Sequence, residues 1–222
     1  MKFYRDEPRT LTLQARLGPD GDEVVADCRL TSLRKLANRE EPQATTHFTG
    51  RVRLTRATPE ATPAGPAPAA PSGATAEREQ VYRIYFHGPA YQVVERAWRD
   101  GEQTVGLLPA ELPADREPAD APLATAPRLL ELCFQTAGVH QLGTSGRMAL
   151  PERVGRVAIV GDRHAGAGRL HAVVTARADG TADAEVVDAA GQVHLRLEGY
   201  ATVELPTAPG AELLAPLEAA MV

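Results

Sequence analysis

The chain has 222 residues, a net charge of −5 and a hydrophobic fraction of 43%, enough apolar material to build a core without disulfide or metal staples. Acids and bases are interspersed with no basic stripe, which argues against nucleic acid as a partner, and no apolar run approaches the about 18 residues of a membrane-spanning helix. Cys28 and Cys133 stand far apart and outside any metal-ligand spacing, so each reads as a small buried hydrophobe.

The opening residues MKFYRDEPRT lack the apolar stretch of a secretory signal, so a soluble cytoplasmic protein is expected. TLTLQARL alternates Leu11, Leu13, Ala15 and Leu17 on one face. PDGD signals a hairpin turn, and EVVADCRLTSL then alternates Val24, Ala26, Cys28 and Leu30. THFTGRVRLTRA sets Phe48, Gly50, Val52 and Leu54 against His47, Thr49, Arg51 and Arg53. Period-2 patterning with one polar face predicts an antiparallel sheet for residues 1–57. No helix in this piece covers the apolar face, so it is expected to find a partner or a second copy of the chain, and a homodimer stays open.

The stretch TPEATPAGPAPAAPSGAT from Thr58 to Thr75 is too poor in apolar side chains to offset its ordering entropy, and residues 58–79 are read as a linker. Strands are predicted at VYRIYFHG, YQVVERAWRD and EQTVGLLP, the last two joined at Asp100-Gly101. A polar, Pro-rich loop runs from Ala110 to Pro127. The stretch PRLLELCFQTAGVHQLG (Pro127 to Gly143) is apolar nearly all round, the mark of a buried helix. Pro127 suits its first turn and Thr125 is the expected N-cap. Four strand-like runs follow: RVGRVAIVG, GRLHAVVTARA, TADAEVVDA and QVHLRLEGYATVEL. Residues 80–206 form this second domain, and the Ala/Pro-rich tail 207–222 is expected to be flexible. One long apolar helix wrapped by a curved antiparallel sheet is the α+β hotdog architecture. The chain thus reads as the end of one hotdog joined to a complete second one.

Within the helix, Glu131, Gln135, Gly138 and Leu142 share a stripe. A carboxyl there loses hydration, which disfavours its charged form, while the helix dipole and a Gln135 hydrogen bond oppose that effect. Such a balance serves general acid–base chemistry. An acid early in a helix is also simply a favourable dipole partner, and that explanation stands beside the first.

Several segments resemble polyketide synthase dehydratase domains, most closely those of polyunsaturated-fatty-acid and enediyne synthases. YRIYFHGPAYQVV (Tyr82 to Val94) resembles their aromatic/His-Gly-Pro signature, and LLELCFQTAG (Leu129 to Gly138) their Leu-Asp-x-x-x-Gln helix. LPERVGRVAI resembles their Leu-Pro segment and DAAGQVHLRLEGYATVEL their closing hairpin, while HFTGRVRL looks like the last strand of a first hotdog. The resemblance implies a double hotdog that removes water from 3-hydroxyacyl chains carried on the phosphopantetheine of an acyl carrier protein. It implies no metal or redox cofactor, and other synthase domains as partners. Carried over by residue, Glu131 takes the acid's place with Gln135 as its orienter. Tyr85, His87, Gly88, Pro89 and Tyr91 border the substrate tunnel.

Two departures matter. Glu131 stands where the family has Asp, and a head-group displacement of about 1 Å can cost about 100-fold in rate. The family's base, a His in a His-x-x-x-Gly-x-x-x-x-Pro motif, would fall before Met1 together with the first hotdog's central helix. The other histidines are poor replacements: His47 is expected in solvent, His140 at the helix end as a dipole partner, His164 in the turn GDRHAGAG, and His171 and His194 on strands. The readings are therefore a dehydratase region needing a base from elsewhere, a non-catalytic pseudo-dehydratase that scaffolds or docks neighbouring domains, or another hotdog activity at the same tunnel.

Overall fold

The computed structural model describes residues 8–34, 42–55, 65–121, 123, 125–160 and 169–222. The chain divides into two compact units between Thr58 and Pro59. The loop expected at 161–168, with His164, and the first residues of the expected linker lie outside the described residues.

The first unit is an antiparallel sheet of β1 (Leu11–Asp20), β2 (Glu23–Arg34) and β3 (Gln43–Leu54), in that order. Pairing of Leu13 with Leu30 and Leu30 with Phe48, and of Leu17 with Ala26 and Ala26 with Val52, gathers the alternating apolar residues on one face. A one-residue irregularity at His47 interrupts the β2–β3 register, and the His47 Nε2 lies 2.7 Å from the Ser32 hydroxyl. Leu13, Leu17, Phe48, Val52 and Leu54 on the apolar face are exposed. The opposite face carries ion pairs from Arg51 to Asp27 and from Arg53 to Asp20 and Glu23.

The second unit is an eight-stranded antiparallel sheet around one long helix. Its strands are β4 (Ala76–Glu77), β5 (Arg96–Asp100), β6 (Gln103–Leu107), β7 (Ala149–Arg153), β8 (Arg156–Ile159), β9 (His171–Ala176), β10 (Ala182–Val187) and β11 (Val193–Glu204). The order is β4-β5-β6-β9-β10-β11-β7, with β8 also on β11. The run expected as one strand, RVGRVAIVG, breaks at Gly155, whose amide donates to Glu198 and Gly199 carbonyls of β11. A Cβ at 155 would stand 2.8 Å from the Glu198 carbonyl oxygen.

Helix α2 (Pro127–Ser145) contacts β6, β9, β10, β11 and β7. Leu132, Cys133, Val139 and Leu142 meet Val174, Val186, Leu195 and Leu197 of the sheet in one core. Pro127 opens the helix as expected, but the N-cap is Ala126 and makes no side-chain cap. At the other end Gly146 adopts φ 68° and its amide bonds to the Leu142 carbonyl, a left-handed stop that glycine takes without a Cβ penalty.

Three expectations are corrected. The strand expected at VYRIYFHG is instead the last residue of helix α1 (Arg78–Val81) and the tight turn that follows it, in which Ile84 and Tyr85 amides bond to the Val81 carbonyl. The Gln80 side chain accepts from the Glu77 amide at 2.8 Å and fixes the helix start. The buried or half-buried Val81, Ile84 and Tyr85 follow a helical spacing that aromatic content masks. Secondly, the linker ends early: Ala76 is fully buried and pairs with Ala97, the Gly65 amide bonds to the Gly191 carbonyl, and the Ala69 amide to Asp100. Thirdly, the tail expected to be flexible forms α3 (Ala211–Ala220), which packs on α2. Burial of Leu214 and Leu217, about 1.5–3 kcal/mol each, outweighs the helix-breaking tendency of Pro216. Gly143 permits the close approach, since a Cβ there would lie 2.5 Å from the Leu217 carbonyl oxygen.

Candidate active site

Glu131 lies one turn into α2, and His87 sits in the extended segment between the α1 turn and the 3-10 turn Pro89–Tyr91. The two side chains meet: His87 Nε2 is 3.0 Å from Glu131 Oε1, with 22% and 23% of each side chain exposed. One turn further along α2, the buried Gln135 donates from Nε2 to the same Oε1 at 2.9 Å. Its other Nε2 hydrogen goes to the Tyr91 carbonyl at 2.8 Å, and its Oε1 accepts from the Tyr82 hydroxyl at 2.5 Å. Among the described residues, Glu131 Oε2 has no hydrogen-bond partner. The carboxylate therefore has one anchored oxygen and one available oxygen.

The remaining expected residues take distinct places. Tyr85 donates its hydroxyl to the main-chain oxygen of Gln135 at 3.1 Å and lies against Gly138, where a Cβ would stand 2.3 Å from that hydroxyl. Its ring meets His87 edge-on at 5.6 Å, while the Phe86 ring stacks on His87 at 5.0 Å. Tyr91 contributes its carbonyl to Gln135, and its hydroxyl donates to Asp115 at 3.3 Å. Gly88 caps the 3-10 turn and Pro89 opens it. A Cβ at Gly88 would meet open space at φ −67°, so packing does not demand glycine there.

Surrounding electrostatics keep the hydroxyls neutral. Burial pushes the Tyr82, Tyr85 and Tyr200 phenols well above their ordinary value, so Tyr82 is a donor at every working pH. Burial also raises the Cys133 thiol, which leaves it inert. Asp115 ties the Pro-rich loop to the site. Burial pushes its carboxyl up, but the Arg116 hydrogen bond and the Arg128 and Arg116 charges more than offset that and hold it below the usual carboxylate range.

The other described histidines stand elsewhere. His140 is not a charged dipole partner at the helix end: its Nδ1 faces the Thr104 hydroxyl at 2.9 Å and the Arg99 guanidinium at 3.3 Å. A guanidinium only donates, so Nδ1 accepts and the ring is neutral. Burial and Arg99 hold its pKa below 6.5. His194 is buried and pairs with Asp188 at 3.2 Å, and His171 lies edge-on to Trp98. An open concavity of about 610 Å³ on the sheet face turned from α2 is lined by Thr175, Arg177, Asp183, Glu185, Arg196 and Glu198 among others. Two of its arginines are already paired, Arg177 with Asp183 and Arg196 with Glu185. Sequence reasoning missed Tyr82 as a site residue. Its lead was an aromatic residue one position from the end of a helical turn, and its partner lies 53 residues away.

Residues 53–212, more than half the chain, match the family described as polyketide synthase dehydratase N-terminal domain. Polyketide synthase ThaG of Burkholderia thailandensis is 30% identical over 118 residues, which cover 52% of this chain and 2% of that protein. The chain thus spans a small fraction of the curated relative it matches. Among solved structures, a dehydratase studied for the borrelidin and fluvirucin polyketide synthases superposes with a TM-score of 0.60 at 21% identity, covering 90% of this chain and 68% of that one. A trans-AT polyketide synthase dehydratase domain from Brevibacillus brevis gives 0.61 at 19% identity, with 86% and 68% covered. The dehydratase domain of the CurF module of curacin polyketide synthase gives 0.58 at 20%, with 87% and 68% covered. Likeness at these identities shows the fold, the α+β hotdog.

Proposed function

The chain belongs to the polyketide synthase dehydratase family, and we propose on that premise that the Glu131 site acts on 3-hydroxyacyl chains carried by an acyl carrier protein. The observation that carries this reading is the division of labour on the carboxylate: Oε1 is held by Gln135 and His87, and Oε2 is open. In the elimination, the C2–H and C3–O bonds break and a C2=C3 double bond forms. Glu131 gives the Oε2 proton to the departing hydroxyl, which leaves as water. A base outside the described site takes the C2 proton, and Glu131 is then reprotonated from solvent. His87 restrains the carboxylate through Oε1 and borders the acyl chain, with Gly88, Pro89 and Tyr91 lining its path. The reaction changes no net oxidation level, so no redox cofactor is called for. Phosphopantetheine serves only as the substrate's tether.

The exposed apolar face of β1–β3 favours a second reading, a non-catalytic module that docks neighbouring synthase domains. One experiment separates the two. The chain is incubated with a 3-hydroxyacyl-loaded carrier protein and with imidazole supplied as the outside base, and loss of one water is followed by mass spectrometry. Dehydration by the wild type, reduced about 100-fold or more in Glu131→Gln, supports the enzyme. No water loss in either, with retained carrier binding, supports the docking module.

A further inference from the structure

An amide side chain can occupy its site in two orientations, but Gln135 has only one. At one end the Val94 backbone N–H, which can only donate, bonds to the Tyr82 hydroxyl oxygen at 2.8 Å. The Tyr82 hydrogen is thereby directed at Gln135, which must present Oε1 to receive it at 2.5 Å. At the other end the Tyr91 carbonyl, which can only accept, requires Nε2 at 2.8 Å. The remaining Nε2 hydrogen points at Glu131 Oε1. Two backbone groups therefore set, through two side chains, which atom faces the carboxylate. Gln135 is 3% exposed, so water offers no competing partner, and buried networks of this kind hold one arrangement.

We propose that Tyr82 is a positioning residue that acts through Gln135 to hold Glu131 Oε1 as an anchor and reserve Oε2 for proton exchange with the substrate. The proposal rests on the acid–base reading of the site. Packing alone would not need the hydroxyl: the Tyr82 ring lies against the core, and phenylalanine fills the same place. Without the hydroxyl, Val94 N–H and Gln135 Oε1 both lose their partner, and the amide is fixed at one end only.

The test uses this chain and two readouts. In NMR of protein labelled with ¹⁵N at glutamine side chains, Tyr82→Phe is expected to speed solvent exchange of the Gln135 amide about fivefold, the effect of one lost hydrogen bond. In the water-loss assay, Tyr82→Phe lowers kcat about tenfold with KM unchanged and displaces the alkaline limb of the pH–rate profile, the limb set by loss of the general acid's proton. Gln141→Met, which removes the Thr202–Gln141 bond further along α2, moves neither readout. If Tyr82→Phe does not fold, 3-fluorotyrosine at position 82 keeps the packing, strengthens the donor and slows amide exchange. Unchanged Gln135 exchange in either variant overturns the proposal, as does a pH profile that Tyr82→Phe leaves in place. A wild-type chain with no turnover even when imidazole supplies the base instead defeats the dehydratase reading, and amide exchange still decides the role of Tyr82.

Discussion

Gly138→Ala offers a contest between two effects of opposite sign. In an unobstructed helix interior the change stabilises by about 1 kcal/mol, because glycine has the larger backbone entropy to lose. Here the added Cβ would stand 2.3 Å from the Tyr85 hydroxyl and 3.3 Å from its Cζ. Tyr85 must withdraw by about 1 Å, which costs about 1–3 kcal/mol in overpacking and strains its 3.1 Å bond to the Gln135 carbonyl, worth about 1 kcal/mol. The net expectation is a loss of about 1–3 kcal/mol. Trp98 is the single tryptophan and lies buried in β5, so its fluorescence follows the second unit alone during urea unfolding. With a slope of about 2 kcal/mol per molar urea, the midpoint falls by about 0.5–1.5 M. Tyr85→Phe removes the obstructing oxygen, so the double variant recovers about 1–2 kcal/mol of that loss. A rise in midpoint for Gly138→Ala would refute the packing described at Tyr85.

Leu217→Ala deletes a fully buried side chain of α3 and is expected to cost about 2–5 kcal/mol; a loss below about 1 kcal/mol by the same fluorescence assay would show α3 detached from α2. Stability should decline as pH falls below 6.5, because burial first, then Arg99 and Arg169, hold His140 and His171 below that value in the folded state while the unfolded chain binds protons there. His140→Gln should flatten the decline, and a decline of unchanged slope would remove His140 from its cause. The apolar face of β1–β3 should drive self-association: Phe48→Lys, at a side chain 60% exposed, should lower the apparent mass in light scattering, and a wild type that stays monomeric at high concentration would contradict this.

Where side-chain pattern and local chemistry agree, the sequence reveals the fold. Helix α2 was legible because its apolar residues cover the circumference and Pro127 marks its start. Strands β1 to β3 and β9 to β11 were legible because their alternation matches a half-buried sheet. The failures occurred where long-range contacts decide. Tyr82 and Tyr85 carry strand-like character, yet Gln80 and the Val81 carbonyl close a helical turn around them. Pro216 in α3 suggests fraying, and the compensating burial comes from its packing on α2 over Gly143 and on α1, β4 and β5. In the site, Glu131 and Gln135 were readable as neighbours on one helix face. The pairing of Glu131 with His87 was not, because it joins a helix to a segment whose course the sequence did not disclose.

The most direct measurement is NMR of the chain, labelled with ¹³C at glutamate and histidine side chains, titrated with a 3-hydroxyacyl pantetheine thioester. The account expects the Glu131 and His87 resonances to move together, and Glu131→Gln to abolish the His87 response. Shifts confined to Glu185 and Glu198 in the concavity on the opposite sheet face, with Glu131 and His87 unmoved, would contradict it.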